Sequence, residues 1–174
     1  MDNQLLSSMV LDIRNIMETA RRNVAQEVNN ELIVAYWKIG EIIVRYEQND
    51  NIRAAYGKQT LKQLSKTLTA EFGKGFSISN IQFMRRFYQE YKIRQTLSVK
   101  LTWSHYCELL AISDKNKREF YEQEAKNANW SVRELKRQIN TSLYERLLLS
   151  KGEVNKQEVL NLALNGIEIH QPKD

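Results

Sequence analysis

Hydrophobic positions along this chain recur at helical rather than strand spacing almost throughout. Leu6, Val10, Ile13, Met17, Ala20 and Val24 step alternately by four and three, a heptad seam just under three heptads long. After Val24 the steps become fours through Val28, Leu32 and Tyr36, and the pattern then continues at Ile39, Ile43 and Tyr46. That loss of register predicts a kink, a change of packing partner or a division into two helices near Asn29–Asn30. The seam has two candidate partners, the interior of the same chain or a second copy. Tyr36 and Trp37 read as core anchors.

From Thr60 to Tyr91 the pattern predicts two helices joined by a glycine turn. Leu61, Leu64, Leu68 and Phe72 share one face of the first. Gly73-Lys74-Gly75 breaks it, since glycine takes the positive φ that ends a helix. Ser77 then caps a second helix, and Phe76 is placed to staple onto Ile81. Ile81, Met84, Phe87 (or Tyr88) and Tyr91 give that helix its buried face. Two amphipathic helices around a short turn make a helix-turn-helix pattern. Residues 49–58 between this pair and the N-terminal arm read as a loop, although Tyr56-Gly57 can equally open the next helix.

Further along, Thr102 or Ser104 caps a short helix. Asp114 caps the next, with Phe120, Tyr121 and Ala125 facing inward. Ser131 and Glu134 form a capping box for a single helix from Val132 to Leu149, whose buried stripe is Leu135, Ile139, Leu143 and Leu147 (or Tyr144). Asn155 caps one last short helix. The chain then ends without a clear closing element, which is expected of a fragment of something longer.

Composition sharpens this picture. One proline and six glycines in 174 residues suit long helices, and 42% hydrophobic residues are enough for a sizeable core. No apolar run approaches 18 residues and no leader pattern opens the chain, so a cytoplasmic protein without a membrane span is expected. The lone Cys107 can form no internal disulfide. Net charge is +5, but it is unevenly spread. Residues 1–50 carry 5 basic and 8 acidic side chains, residues 51–100 carry 10 and 2, and the remainder 11 of each. The excess of +8 therefore falls on the helix-turn-helix stretch. A field of that sign favours an anionic partner, most simply nucleic acid; the plainer alternative is a solvated lysine face.

No catalytic constellation is apparent. His105 and His170 stand at no metal-ligand spacing with Cys107. His105 beside Trp103 reads better as a satisfied histidine near the core than as a base. There is no Walker loop and no G-x-S-x-G, and the carboxylates around Glu119, Glu122 and Glu124 lie beside Arg118 and Lys126 as surface ion pairs do. No catalytic residue, metal or cofactor is expected. The basic helices carry more. Lys58, Lys62 and Lys66 form a ridge at four-residue spacing, and Lys74 sits in the turn. On the second helix Ser77, Ser79, Asn80, Gln82, Arg85 and Arg86 form a candidate DNA-reading face. Asn and Gln can pair with adenine and Arg with guanine, while lysines and a helix N-terminus hold phosphates. Asn80 has a second, structural role open to it, bonding across the turn.

The run Gly75-Phe76-Ser77-x-x-Asn80-Ile81-x-x-Met84-Arg85-x-Phe87-Tyr88 resembles the signature of the N-terminal domain of YhcG-like proteins, a bacterial group classed as nucleases of the PD-(D/E)XK superfamily. Asn30-Glu31-Leu32, Tyr36-Trp37-x-Ile39-Gly40, Tyr56-Gly57, Trp103-Ser104-His105, Arg118-x-Phe120-Tyr121, Trp130-Ser131 and Tyr144-Glu145-Arg146 agree in order and spacing, so the resemblance runs from about residue 5 to 148. It implies a targeting or assembly domain of unknown detail, preceding a C-terminal nuclease domain that holds the acidic metal-binding core. The loop QNDNIRAA departs from the Gly- and Trp-containing loop usual before Tyr56-Gly57.

The expected architecture is all-α. Residues 1–50 form a helical arm that is a candidate for dimerisation, 51–100 the basic helix-turn-helix, 101–150 a helical bundle, and 151–174 a helix and tail leading toward a nuclease domain. The expected partners are DNA, that nuclease domain and a second copy of the chain. A protein–protein module without nucleic-acid binding is the alternative.

Overall fold

The computed structural model describes residues 3–49, 54–92, 97–98, 100–150 and 156–165. Among them every regular element is helical, as expected: α1 (Asn3–Asn49), α2 (Ala54–Phe72), a 3₁₀ turn (Lys74–Phe76), α3 (Ile78–Glu90), α4 (Trp103–Leu110), α5 (Lys115–Asn127), α6 (Val132–Asn140), α7 (Leu143–Ser150) and α8 (Lys156–Leu164). The Asn155 cap and the tail beyond Asn165 lie outside the described residues.

The N-terminal arm is one helix of 47 residues, with no division at Asn29–Asn30. What changes there is the packing partner. Before Asn29 the described side chains of α1 are exposed, including Leu6, Val10, Ile13, Met17 and Val24. From Asn29 onward one face is covered: Ile33, Gly40, Ile43 and Val44 are buried, and α1 packs on α3 and α4. The shift from heptad steps to steps of four marks this handover. Backbone hydrogen bonding has no reason to stop there, because neither proline nor a capping glycine interrupts the run.

Gly40 makes the α1–α3 crossing possible. A Cβ on it would stand 2.0 Å from the Met84 carbonyl oxygen and 3.0 Å from Tyr88 Cβ. Trp37 locks the crossing from the side, its indole N–H donating to the Tyr91 carbonyl at 2.6 Å and its ring meeting Tyr88 edge-on. The core continues from Phe87 through Leu101, Tyr106, Leu109 and Leu110 to Phe120, Tyr121, Leu135, Leu147 and Leu160. Phe87 lies at its aromatic centre, with ring centroids 4.7 Å from Tyr106, 5.1 Å from Tyr91 and 5.3 Å from Trp103.

The helix from Val132 to Leu149 is in fact two. It breaks at Thr141–Ser142, where Ser142 takes a positive φ of 55°. The Tyr121 hydroxyl bridges the break, donating to the Gln138 carbonyl at 3.1 Å and accepting from the Tyr144 N–H at 3.2 Å. Two backbone groups at the interruption thereby keep partners although buried. The capping box at Ser131 is half formed. Its side chain accepts from the Glu134 N–H at 3.2 Å, but the Glu134 carboxylate turns to Arg137 and Gln138. That arginine pair, then the Gln138 amide, hold the Glu134 carboxyl below its ordinary range.

A polar seam runs beside the core. The buried Arg118 guanidinium pairs with Glu90 and donates to the Ile112 carbonyl at 3.0 Å. The Tyr91 hydroxyl donates to Glu122 at 2.7 Å, and Lys126 pairs with the same carboxylate. Burial raises the Tyr91 phenol well above its usual range, and the adjacent Glu122 charge raises it further; Tyr106 is raised by the same two causes. Burial also pushes the Cys107 thiol up to about 11, with help from Glu108. These acids ionise more readily in the unfolded chain than in the folded one. Their contribution to stability is therefore complete below the unfolded values, near 9 for the thiol and 10 for the phenols, and is lost as pH rises through the folded ones. Denaturant midpoints measured from about pH 8 to 11 are expected to hold until roughly pH 9 and then to fall steadily. A midpoint that stays constant up to about pH 11 would contradict this assignment.

Candidate nucleic-acid interface

The pair α2–α3 is assembled from local signals. Gly73 takes φ 90°, ending α2. The Ser65 and Thr69 hydroxyls both donate to the Phe76 carbonyl, at 2.8 and 3.3 Å, tying the turn back onto α2. Ser77 caps α3, its side chain accepting from the Asn80 N–H at 3.2 Å. Ile81, Met84 and Phe87 are fully buried, so one face of α3 belongs to the core.

The candidate DNA-reading residues then divide. Lys62, Lys66 and Lys74 are exposed, as are Ser79 and Gln82, and among the described residues none of the three lysines is in an ion pair. The Lys58 side chain lies outside the described residues. Asn80 serves the fold. Its amide N–H₂ donates to the Gly75 carbonyl, across the turn, while its oxygen accepts from the Trp103 indole at 2.8 Å. With both ends engaged, this amide is not available to pair with a base without breaking two bonds. Ser77 is likewise engaged as the cap. Arg85 turns to α1 and pairs with Glu47 at 2.6 Å, its side chain 38% exposed. Arg86 lies between Glu90 at 3.9 Å and the Ile112 carbonyl at 3.5 Å, and is 36% exposed.

A helical wheel identifies Asn80 and Arg85 as polar residues beside the buried face of α3, but their partners are out of its sight. Glu47 lies 38 residues from Arg85, and Trp103 lies 23 from Asn80. The one local signal was the position of Asn80 in the first turn of α3, close after the glycine turn, where an asparagine side chain can reach back to backbone.

His105 is a structural group. Its Nδ1 meets the Thr102 N–H at 3.1 Å and hydroxyl at 2.8 Å, forming a capping box, and its Nε2 lies 2.9 Å from the Trp130 carbonyl. Among the described residues no group of three or more His, Cys, Asp or Glu side chains could hold a metal ion, and no helix is long and apolar enough to cross a membrane.

An all-α domain with a central α1–α3 crossing and exposed lysines on α2 and its turn is thus the class of protein the fold and surface define. The DUF1016 N-terminal domain family matches residues 12–146, and the chain belongs to that family. It is 37% identical, over 170 aligned residues, to a protein of Escherichia coli (strain K12) described as "Putative nuclease YhcG"; the alignment covers 79% of this chain. The chain spans about 45% of the length of that relative. No solved structure matches. The chain is therefore a domain of YhcG type.

Proposed function

We propose that this domain docks duplex DNA through Lys62, Lys66 and Lys74, with Ser79, Gln82 and the exposed part of Arg86 contributing from α3, and so positions the nuclease domain of a longer chain. The reading is carried by one observation: three exposed lysines on α2 and its turn, in no ion pair among the described residues, in the window whose charge balance is +8. It is a docking role rather than a catalytic one, and it is chiefly backbone recognition, because Asn80 and Arg85 are engaged within the fold. Lysines contacting phosphate give affinity with little sequence information.

Replacing Lys62, Lys66 and Lys74 together by glutamine is expected to weaken duplex binding on the order of 100-fold at ~0.1 M salt, since each phosphate contact displaces about one counterion. Helicity and melting temperature should not move, because all three side chains are exposed. Unchanged affinity in fluorescence anisotropy would remove the lysines from the interface.

A further inference from the structure

The half of α1 that packs on the body presents a second apolar stripe on its opposite face. At about 100° per residue, Ile33, Gly40 and Val44 point to α3 and α4, while Val28, Ala35, Ile42 and Tyr46 point away from them. The outward stripe extends the seam of the free arm, with Glu31 and Lys38 as its charged positions between Val28 and Ile42. From Leu6 to Tyr46 it advances in steps that average about 3.6 residues, so it stays on one face of a straight helix rather than winding around it. Leu6, Val10, Ile13, Met17, Val24, Val28, Ile42 and Tyr46 are each left 46–64% exposed. Side chains of this kind offer on the order of 100 Å² apiece for burial. Together they supply about what one partner contributes to a standard stable interface, ~800 Å².

We propose that the occupant of this stripe is a second copy of the chain, its α1 lying antiparallel with the two-fold axis beside Val24. The stripe is complementary to itself in that register. Leu6 meets the partner's Ile42, Ile13 meets the partner's Ala35, Ala20 meets the partner's Val28, and Val24 meets its own mate. Ile13 and Val28 thus fall opposite alanines, Leu6 and Val24 opposite apolar side chains, and Val10 and Met17 opposite the aliphatic stems of the partner's Lys38 and Glu31. The free arm of each copy would then lie on the outward face of the other's packed half, with each body on the face of its helix turned away from the partner. A parallel arrangement is poorer. It sets Glu31 and Lys38 each against its own mate and stacks Ala20 and Ala35 likewise, leaving two thin layers and two like-charge pairs.

The 174-residue chain is tested by sedimentation equilibrium, beside an Ile13→Glu/Met17→Glu variant and two cysteine variants in a Cys107→Ala background. The wild type is expected to be dimeric at ~10 μM protein, well above the Kd that an interface of this size usually gives, and Ile13→Glu/Met17→Glu monomeric with unchanged helicity. Leu6→Cys/Ile42→Cys should oxidise to a covalent dimer, while Leu6→Cys alone should not. A monomeric wild type, as expected if a membrane surface or another protein is the occupant, overturns the proposal. So does a dimer that survives Ile13→Glu/Met17→Glu, or cross-linking by Leu6→Cys alone as efficient as by the pair.

Discussion

Gly40→Ala is expected to lower the stability of this domain by about 3 kcal/mol, although alanine is the better helix former. The propensity gain from glycine to alanine inside a helix is about 1 kcal/mol. Against it stands a Cβ that would lie 2.0 Å from the Met84 carbonyl oxygen and 2.8 Å from its carbon. Those are backbone atoms in the middle of α3, so no side chain can swing aside. The two helices must separate, and every contact along the most extensive helix pair of the fold loosens with them. Overpacking of this kind costs about 1–3 kcal/mol where a core can adjust and more where it cannot. In a domain of this size the melting temperature should drop by about 6–12 °C. A melting curve that matches or exceeds the wild type would show that α1 and α3 do not cross at Gly40.

Phe87→Ala should cost about 4 kcal/mol, within the range for deleting a fully buried phenylalanine. The ring is inaccessible to solvent and touches Tyr91, Trp103 and Tyr106 within 5.3 Å, so its removal opens a cavity between α3 and α4 and also forfeits three edge or tilted aromatic contacts. Phe87→Leu keeps most of the volume and should lose less than half as much. Urea titration of both variants checks the order. Equal losses would mean that the site collapses around either side chain and that Phe87 is not the packing centre.

Much of this arrangement was legible before any coordinates. Gly73, Ser77 and Asp114 act at helix ends through local chemistry, and each does what its neighbours in sequence imply. Ile81, Met84 and Phe87 follow helical spacing into the core because nothing competes for that face. The chain's remaining surprises come from tertiary partners. Val132 to Leu149 keeps an unbroken apolar period, so its division at Ser142 could not be seen without the Tyr121 hydroxyl that supports it. Asn80 and Arg85 look free on a wheel because a wheel omits Trp103 and Glu47. The arm was ambiguous for a different reason. Its seam says that burial is wanted but not by what, and within the described chain the first half of α1 finds no cover.

These losses narrow the candidate interface without dissolving it. Removing Asn80 and Arg85 takes away two of the residues best suited to reading bases, and leaves those suited to phosphate. Recognition of a charged backbone has a signature that base reading lacks, a steep dependence on salt.

The most direct measurement is therefore the affinity of the chain for a duplex of arbitrary sequence between about 50 and 200 mM salt. Three or four contacts, from Lys62, Lys66, Lys74 and Arg86, predict a log–log slope of about −3 to −4, and a comparable slope on a duplex of unrelated sequence. A slope near zero, or no detectable binding at the lowest salt, would contradict the assignment of this surface to DNA.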